Sequence, residues 1–172
     1  MKPTSKFTAR DIVSIGCMTA ILEAVKWTLS SIPGVELVSF FLILFTIFYG
    51  WKTILAALGF AFLEIILWGM GIWNFMYIYM WPLLVALTML VRKYDSIWAY
   101  TFLSAGFGLC FGALCSIPYL LIGGPITMFT WWIAGIPYDI AHGIANFLIM
   151  ILLYKPVYHV MEKVFTKYKM QP

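Results

Sequence analysis

Long apolar runs recur along the chain, separated by short clusters of glycine, proline and charge. A helix needs about 17–25 residues to cross the hydrocarbon layer of a membrane, and most of the runs reach that length. Hydrocarbon offers backbone amides no partner, so such runs must be helical to satisfy their own N–H and C=O groups. The breaks predict six helices, near residues 8–31, 37–51, 53–70, 75–92, 97–122 and 128–155. The second is the least well marked. Pro33-Gly34 precedes it and Lys52 alone divides it from the third, so the two are either a tight pair or one bent element. No linker, low-complexity segment or soluble module interrupts the pattern, and residues 1–172 read as a single compact bundle.

Charge gives the bundle an orientation. Ten of the eleven Lys and Arg residues fall where alternating passes put the same face. Lys2, Lys6 and Arg10 precede the first helix and Lys52 follows the second. Arg92 and Lys93 follow the fourth, and Lys155, Lys163, Lys167 and Lys169 follow the sixth; only Lys26 is out of place. Basic residues stay on the cytoplasmic side. Both termini are therefore expected in the cytoplasm, and the connections near Pro33, Gly71 and Gly124 become external loops without a basic residue.

Composition agrees. The chain is 63% hydrophobic, 10% charged and 19% aromatic, with mean hydropathy +0.95 and three scattered cysteines, which excludes a soluble core or a secreted disulfide scaffold. The first run contains Glu23 and Lys26, continues to about Ile32 and lacks a small-residue cleavage pattern, so it reads as a retained membrane helix rather than a signal peptide. The net charge of +4 suits the anionic inner leaflet of a prokaryotic plasma membrane and gives no reason to invoke nucleic acid.

Two helices carry small residues every fourth position, the spacing that lets helix backbones approach closely in lipid. Gly16, Ala20 and Ala24 lie on the first; Ser104, Gly108, Gly112 and Ser116 lie on the fifth. The second ladder reads as internal packing. The first lies about 100° from Glu23 around its helix, leaving it free to meet another protein while the polar side turns inward.

Ionisable groups within the membrane need a partner, a cavity or an interface. Glu23 and Lys26, three apart, are placed to pair; Glu64 lies nearer the outer end of helix three. Asp139, His142 and Asn146 share one face of helix six and form the most specific polar feature in the chain. A carboxylate beside a histidine can orient a general base. Here no nucleophile motif, HExxH, second histidine for a metal or carboxylate-rich phosphotransferase signature accompanies it, so neither an enzyme nor a metal or cofactor site is expected. The stripe reads either as glue between helices or as the wall of a ligand pocket. Trp73, Tyr77, Trp81, Tyr119 and Trp132 gather toward the external half with Asn74 and loop glycines. That is more aromatic surface than an interfacial belt requires, and it favours a small-molecule site.

The Ala20-Ile-Leu-Glu-Ala24 run, the topology and the segment from Trp131 to Asn146, with its G-[IL]-P-[FY]-D-x-x-H-x-x-x-N pattern, resemble the substrate-binding S-component of energy-coupling factor (ECF) vitamin transporters. The likeness spans nearly the whole chain. It implies high-affinity capture of a vitamin or precursor from outside, followed by docking on a transmembrane coupling subunit driven by two cytoplasmic ATPases. It implies that Ala20 and Ala24 meet the coupling subunit, and periodicity adds Gly16 to the same face. By region, it places the substrate against Glu36, Trp73, Asn74, Tyr77, Trp81, Tyr119, Trp132, Asp139, His142 and Asn146. No phosphate-binding GxxxxGK[ST] loop is present, so energy must come from a partner.

The external loops carry Glu36 and no cation, which disfavours an anionic cargo. Flat neutral or weakly cationic compounds suit the rings: a pyrimidine- or pyridoxine-like compound or, with a wide cavity, cobalamin. A membrane scaffold without a ligand of its own is the alternative, and an intramembrane enzyme a more distant one.

Overall fold

The computed structural model describes residues 7–167; Lys2, Lys6 and Lys169, used in the charge argument, lie outside the described residues. The described chain is helical, with no strand. Its order is α1 (Ala9–Leu29), α2 (Val38–Tyr49), α3 (Thr53–Trp68), α4 (Ile72–Val91), α5 (Ile97–Leu109) and α6 (Phe111–Lys167), with single 3-10 turns at Gly50–Lys52 and Arg92–Tyr94. Four helical runs, Ala9–Leu29, Val38–Trp68, Ile72–Tyr94 and Ile97–Lys167, are long and apolar enough to cross a membrane. They mark a multi-pass membrane protein.

Thr8 starts α1 through a capping box. Its hydroxyl accepts the Asp11 N–H while the Asp11 carboxylate accepts the Thr8 N–H at 2.9 Å. Asp11 also takes the Lys52 ammonium at 2.9 Å, tying the beginning of α1 to the turn after α2. From there α1 and α3 run in the same direction: the Thr19 hydroxyl donates to the Ala56 carbonyl at 3.3 Å, and seven residues on Lys26 pairs with the fully buried Glu64. The ammonium the sequence offers to Glu23 is thus taken across the helix interface by Glu64. Glu23 is half-buried, and its carboxylate oxygens are shut off from the surface without a hydrogen-bond partner.

α2 is buried almost throughout, from Val38 to Phe48, and forms the centre of the core with Leu22, Phe60, Leu84 and Met80. It ends at Gly50, whose φ of 59° is left-handed, and the 3-10 turn that follows reverses the chain. The second and third helices are therefore a tight pair. α4 closes on α3 through Phe60, whose ring lies 5.7 Å from Tyr77 and 6.2 Å from Trp81.

The last long run folds back on itself. Gly124 has φ 75°, ψ −175°, a non-helical break inside α6. Around that point the pairs step outward in opposite directions: Tyr119 stacks on Trp131, Gly112 bonds Asp139, Gly108 abuts Gly143, Asn146 bonds Ser104 and Tyr100 stacks on Tyr154. This hairpin absorbs the ladder of Ser104, Gly108, Gly112 and Ser116. A side-chain carbon added at Gly108 would lie 3.0 Å from the Gly143 backbone. The other ladder behaves oppositely: Gly16, Ala20 and Ala24 are exposed, and nothing lies within 4 Å of where a Gly16 side chain would stand.

Four boundaries differ most from the sequence expectation. α4 begins at Ile72 rather than 75 because Asn74 Oδ1 accepts the Gly71 N–H at 2.5 Å, closing its first turn. The fifth helix is interrupted at Cys110. The sixth begins directly after Gly124 and runs through Pro156 to Lys167 instead of stopping at 155. An interior proline costs about 3 kcal/mol in a helix; here Val157, Tyr158, Met161 and Phe165 pack on the core, with Tyr158 4.9 Å and Phe165 5.5 Å from Phe48. That burial outweighs it.

Candidate functional site

The connection between α1 and α2, residues 30–37, lies against α6. Gly34, with φ 75°, passes so close to Ala141 that an added side-chain carbon would meet it at 3.1 Å. Only a residue without a side chain lets the loop settle here. Two residues on, Glu36 turns inward. Its Oε2 accepts the Ser39 N–H at 2.8 Å at the beginning of α2, and its Oε1 accepts from His142 Nε2 at 3.1 Å. Burial works to raise the Glu36 carboxyl, but the hydrogen bond and charge of His142 and the bonds from Ser39 outweigh it and hold the carboxyl below its ordinary value.

Beside this pair is a cavity of about 250 Å³. Lys26, Ser30, Glu36 and His142 supply its polar wall; Tyr77, Trp81, Phe111 and Tyr138 supply rings. His142 is 1% exposed and Trp81 2%. Since Nε2–H is given to Glu36, Nδ1 is the imidazole atom left over, and neither it nor the Trp81 indole N–H has a hydrogen-bond partner. A buried polar atom without a partner costs about 1–3 kcal/mol. Both residues line the cavity, and a polar group brought up to these atoms would relieve that cost. Phe111 stands edge to face with His142 at 4.7 Å, and Tyr77 with Trp81 at 5.3 Å. The ring planes flanking the hollow are therefore fixed by packing. The Lys26 ammonium lies 5.4 Å from the Tyr77 ring centre and is already bonded to Glu64, so the cation at the wall arrives neutralised.

Of the residues singled out from sequence, Glu36, Tyr77, Trp81 and His142 meet at this cavity. The others lie elsewhere. Asn74 caps α4, and Trp73 beside it is 45% exposed. Tyr119 stacks on Trp131 at 4.9 Å, and the half-buried Trp132 lies 6.4 Å from Phe129. Asp139 is buried and its Oδ1 accepts the Gly112 N–H at 2.8 Å; Asn146 Nδ2 donates to the Ser104 carbonyl at 3.3 Å. The polar stripe on α6 is thus divided in purpose. Its two ends fasten the hairpin and its middle residue faces the hollow.

Sequence reasoning missed Lys26, Phe111 and Tyr138 as wall residues. Lys26 was visible as the one cation out of place, and Tyr138 sits four residues before His142, on the same helix face. Nothing in the sequence separates Phe111 from the other phenylalanines. No protein-family model, curated protein or solved structure matches the chain. Function must be argued from the cavity. Its wall carries an imidazole, an indole and edge-to-face rings, with the Ser30 hydroxyl given to the Trp27 carbonyl, a set that suits holding a small flat molecule.

Proposed function

We propose that this chain is the membrane-embedded substrate-capture subunit of an ECF-type vitamin importer, crossing the membrane six times with both termini in the cytoplasm. The observation that carries the reading is the cavity where His142 Nδ1 and the Trp81 indole stand unpartnered among aromatic rings. The antiparallel pair α2–α3 and the hairpin about Gly124 support six crossings within four apolar runs. The side bearing Lys52, Arg92 and Lys163 is then cytoplasmic.

The cavity also bears on the cargo. At roughly 30 Å³ for each water-sized group, about 250 Å³ takes one substituted ring. That favours a pyrimidine- or pyridoxine-like compound over cobalamin, which is many times larger. A neutral or weakly cationic ring stacks on Tyr77 and Trp81, accepts from the indole N–H and meets His142 Nδ1. A carboxylate or phosphate would find the Lys26 ammonium already engaged by Glu64.

Docking on a coupling subunit through Gly16, Ala20 and Ala24, with two cytoplasmic ATPases supplying the energy, completes the proposal. The exposure of that ladder supports it. Thermal-shift and calorimetric titration of the purified chain against water-soluble vitamins and their single-ring precursors tests it. A saturable hit abolished by His142→Ala, with unfolding otherwise preserved, is the expected result. No hit across the panel from a well-folded protein would leave the scaffold reading, which the fastening roles of Asp139 and Asn146 favour. Vesicles holding this chain alone should bind cargo without concentrating it.

A further inference from the structure

A second hollow, twice the size of the first, opens at the opposite end of the molecule. It lies between the first half of α1, the end of α2 and the last turns of α6, and measures about 510 Å³. Its long walls are apolar, from Val13, Ile21, Phe45, Val160 and Val164. Val13 and Val164 are 64% and 44% exposed, so the hollow opens on the outer surface of the helices and not into the core. One charged residue lines it: Arg10, in the first turn of α1, with Ser14 and Tyr49 nearby on the same wall. A single cation at one end of an apolar trough is the complement of an amphiphile with an anionic head.

Volume and surrounding charge narrow the occupant. About 510 Å³ accommodates some seventeen groups at roughly 30 Å³ each, close to one acyl chain. The rim is positive. Arg10, Lys52, Lys163 and Lys167 outnumber Asp11 and Glu162 at the same end. Basic pockets between membrane helices on the cytoplasmic side attract acidic lipid headgroups, and the beginning of α1 adds the positive end of a helix dipole. We propose that this trough holds one acyl chain of an anionic phospholipid, with its phosphate against Arg10. The lipid splints α1 to the end of α6. The site is separate from the cargo cavity and does not depend on what that cavity binds.

Native mass spectrometry of the full chain, delipidated and reloaded from an equal mixture of phosphatidylglycerol and phosphatidylethanolamine with identical chains, tests this. One retained lipid per chain is expected, with phosphatidylglycerol favoured about fivefold, the factor one arginine near a headgroup supplies. Arg10→Gln should abolish the preference while leaving a lipid bound. Ile21→Trp, which fills the trough, should remove the lipid; Val164→Trp repeats the test from α6 should the first variant fold poorly. Retention of the preference in Arg10→Gln, retention of the lipid in a folded trough-filling variant, or lipid-free dimers that occupy the trough with a second chain would each overturn the assignment.

Discussion

Asp139 Oδ1 accepts the backbone N–H of Gly112 at 2.8 Å, 27 residues earlier in the chain. The bond secures the start of α6 immediately after the break at Cys110, where helix N–H groups have no partner of their own. A side-chain carbon added at Gly112 would collide with the same carboxylate, so the small residue and the acid work as a pair. Asp139→Ala should lower unfolding stability by about 1–3 kcal/mol, and Asp139→Asn, which keeps an acceptor, by less. Cargo affinity measured on the folded fraction should change little in either. A loss of binding as large as that of His142→Ala would return Asp139 to the cavity wall.

His142 and Trp81 should behave differently from the fastening residues. Replacing Trp81 by Phe keeps a ring and deletes the indole donor. Calorimetry should then show affinity weakened by about tenfold, the factor a buried hydrogen bond supplies. The melting temperature without cargo should hold or rise, because a donor with no partner has gone.

The Lys26–Glu64 pair joins α1 to α3 with the carboxylate fully buried. Removing one partner strands the other charge in a medium that cannot solvate it, so Lys26→Met or Glu64→Gln alone should cost about 3–5 kcal/mol. Combining Lys26→Met with Glu64→Leu should recover much of that loss. Urea or thermal unfolding of the three variants reads the coupling. A double variant as unstable as the sum of the two single ones would show that the residues do not act on each other.

The Glu36 carboxyl titrates lower in the folded protein than an ordinary glutamate, near 4.3, because His142 and Ser39 overcome its burial. The unfolded chain therefore takes up that proton first as pH falls. The stability contributed by the contact is complete above the ordinary value and disappears as pH drops toward the lower native one. Melting curves from pH 7 to pH 3 should steepen in that window for the parent and flatten in Glu36→Gln. Equal slopes for the two proteins would mean that other carboxylates carry the acid response.

Glycine substitutions should separate the two small-residue ladders. Gly108→Ala puts a carbon 3.0 Å from the Gly143 backbone, an overpacking that costs about 1–3 kcal/mol. Gly16→Ala meets nothing within 4 Å and should leave the isolated protein unchanged or slightly more stable. Thermal unfolding of the purified variants decides. Equal destabilisation would mean that α1 is packed as tightly as the hairpin.

Much of this architecture was legible from where apolar residues stop. Gly124 marked the reversal of the last run, and four-residue spacing marked the seam that closes the hairpin, whereas the reversal at Gly50 was not read. The boundaries that escaped reading, at Cys110 and beyond Pro156, depend on partners distant in sequence: Asp139 in one case and Phe48 in the other. Period and composition carry no record of such contacts. The site was legible in the same uneven way. Glu36, Tyr77, Trp81 and His142 were picked out by type and region, but nothing local distinguishes His142, which faces space, from Asp139 and Asn146, which fasten backbone on the same helix face. Lys26 was read with the neighbour on its own helix because i, i+3 spacing is visible in a sequence and the approach of α3 is not.

The hydrogen bond between Glu36 and His142 joins positions 106 residues apart, and both residues line the cavity. During synthesis the first helices are already in the bilayer long before the wall that completes the hollow has left the ribosome. Nascent chains therefore have no cavity to fill, and cargo can act as a folding aid only after translation is nearly done. Occupancy of the cavity would consequently register on the finished protein's lifetime, not on its insertion.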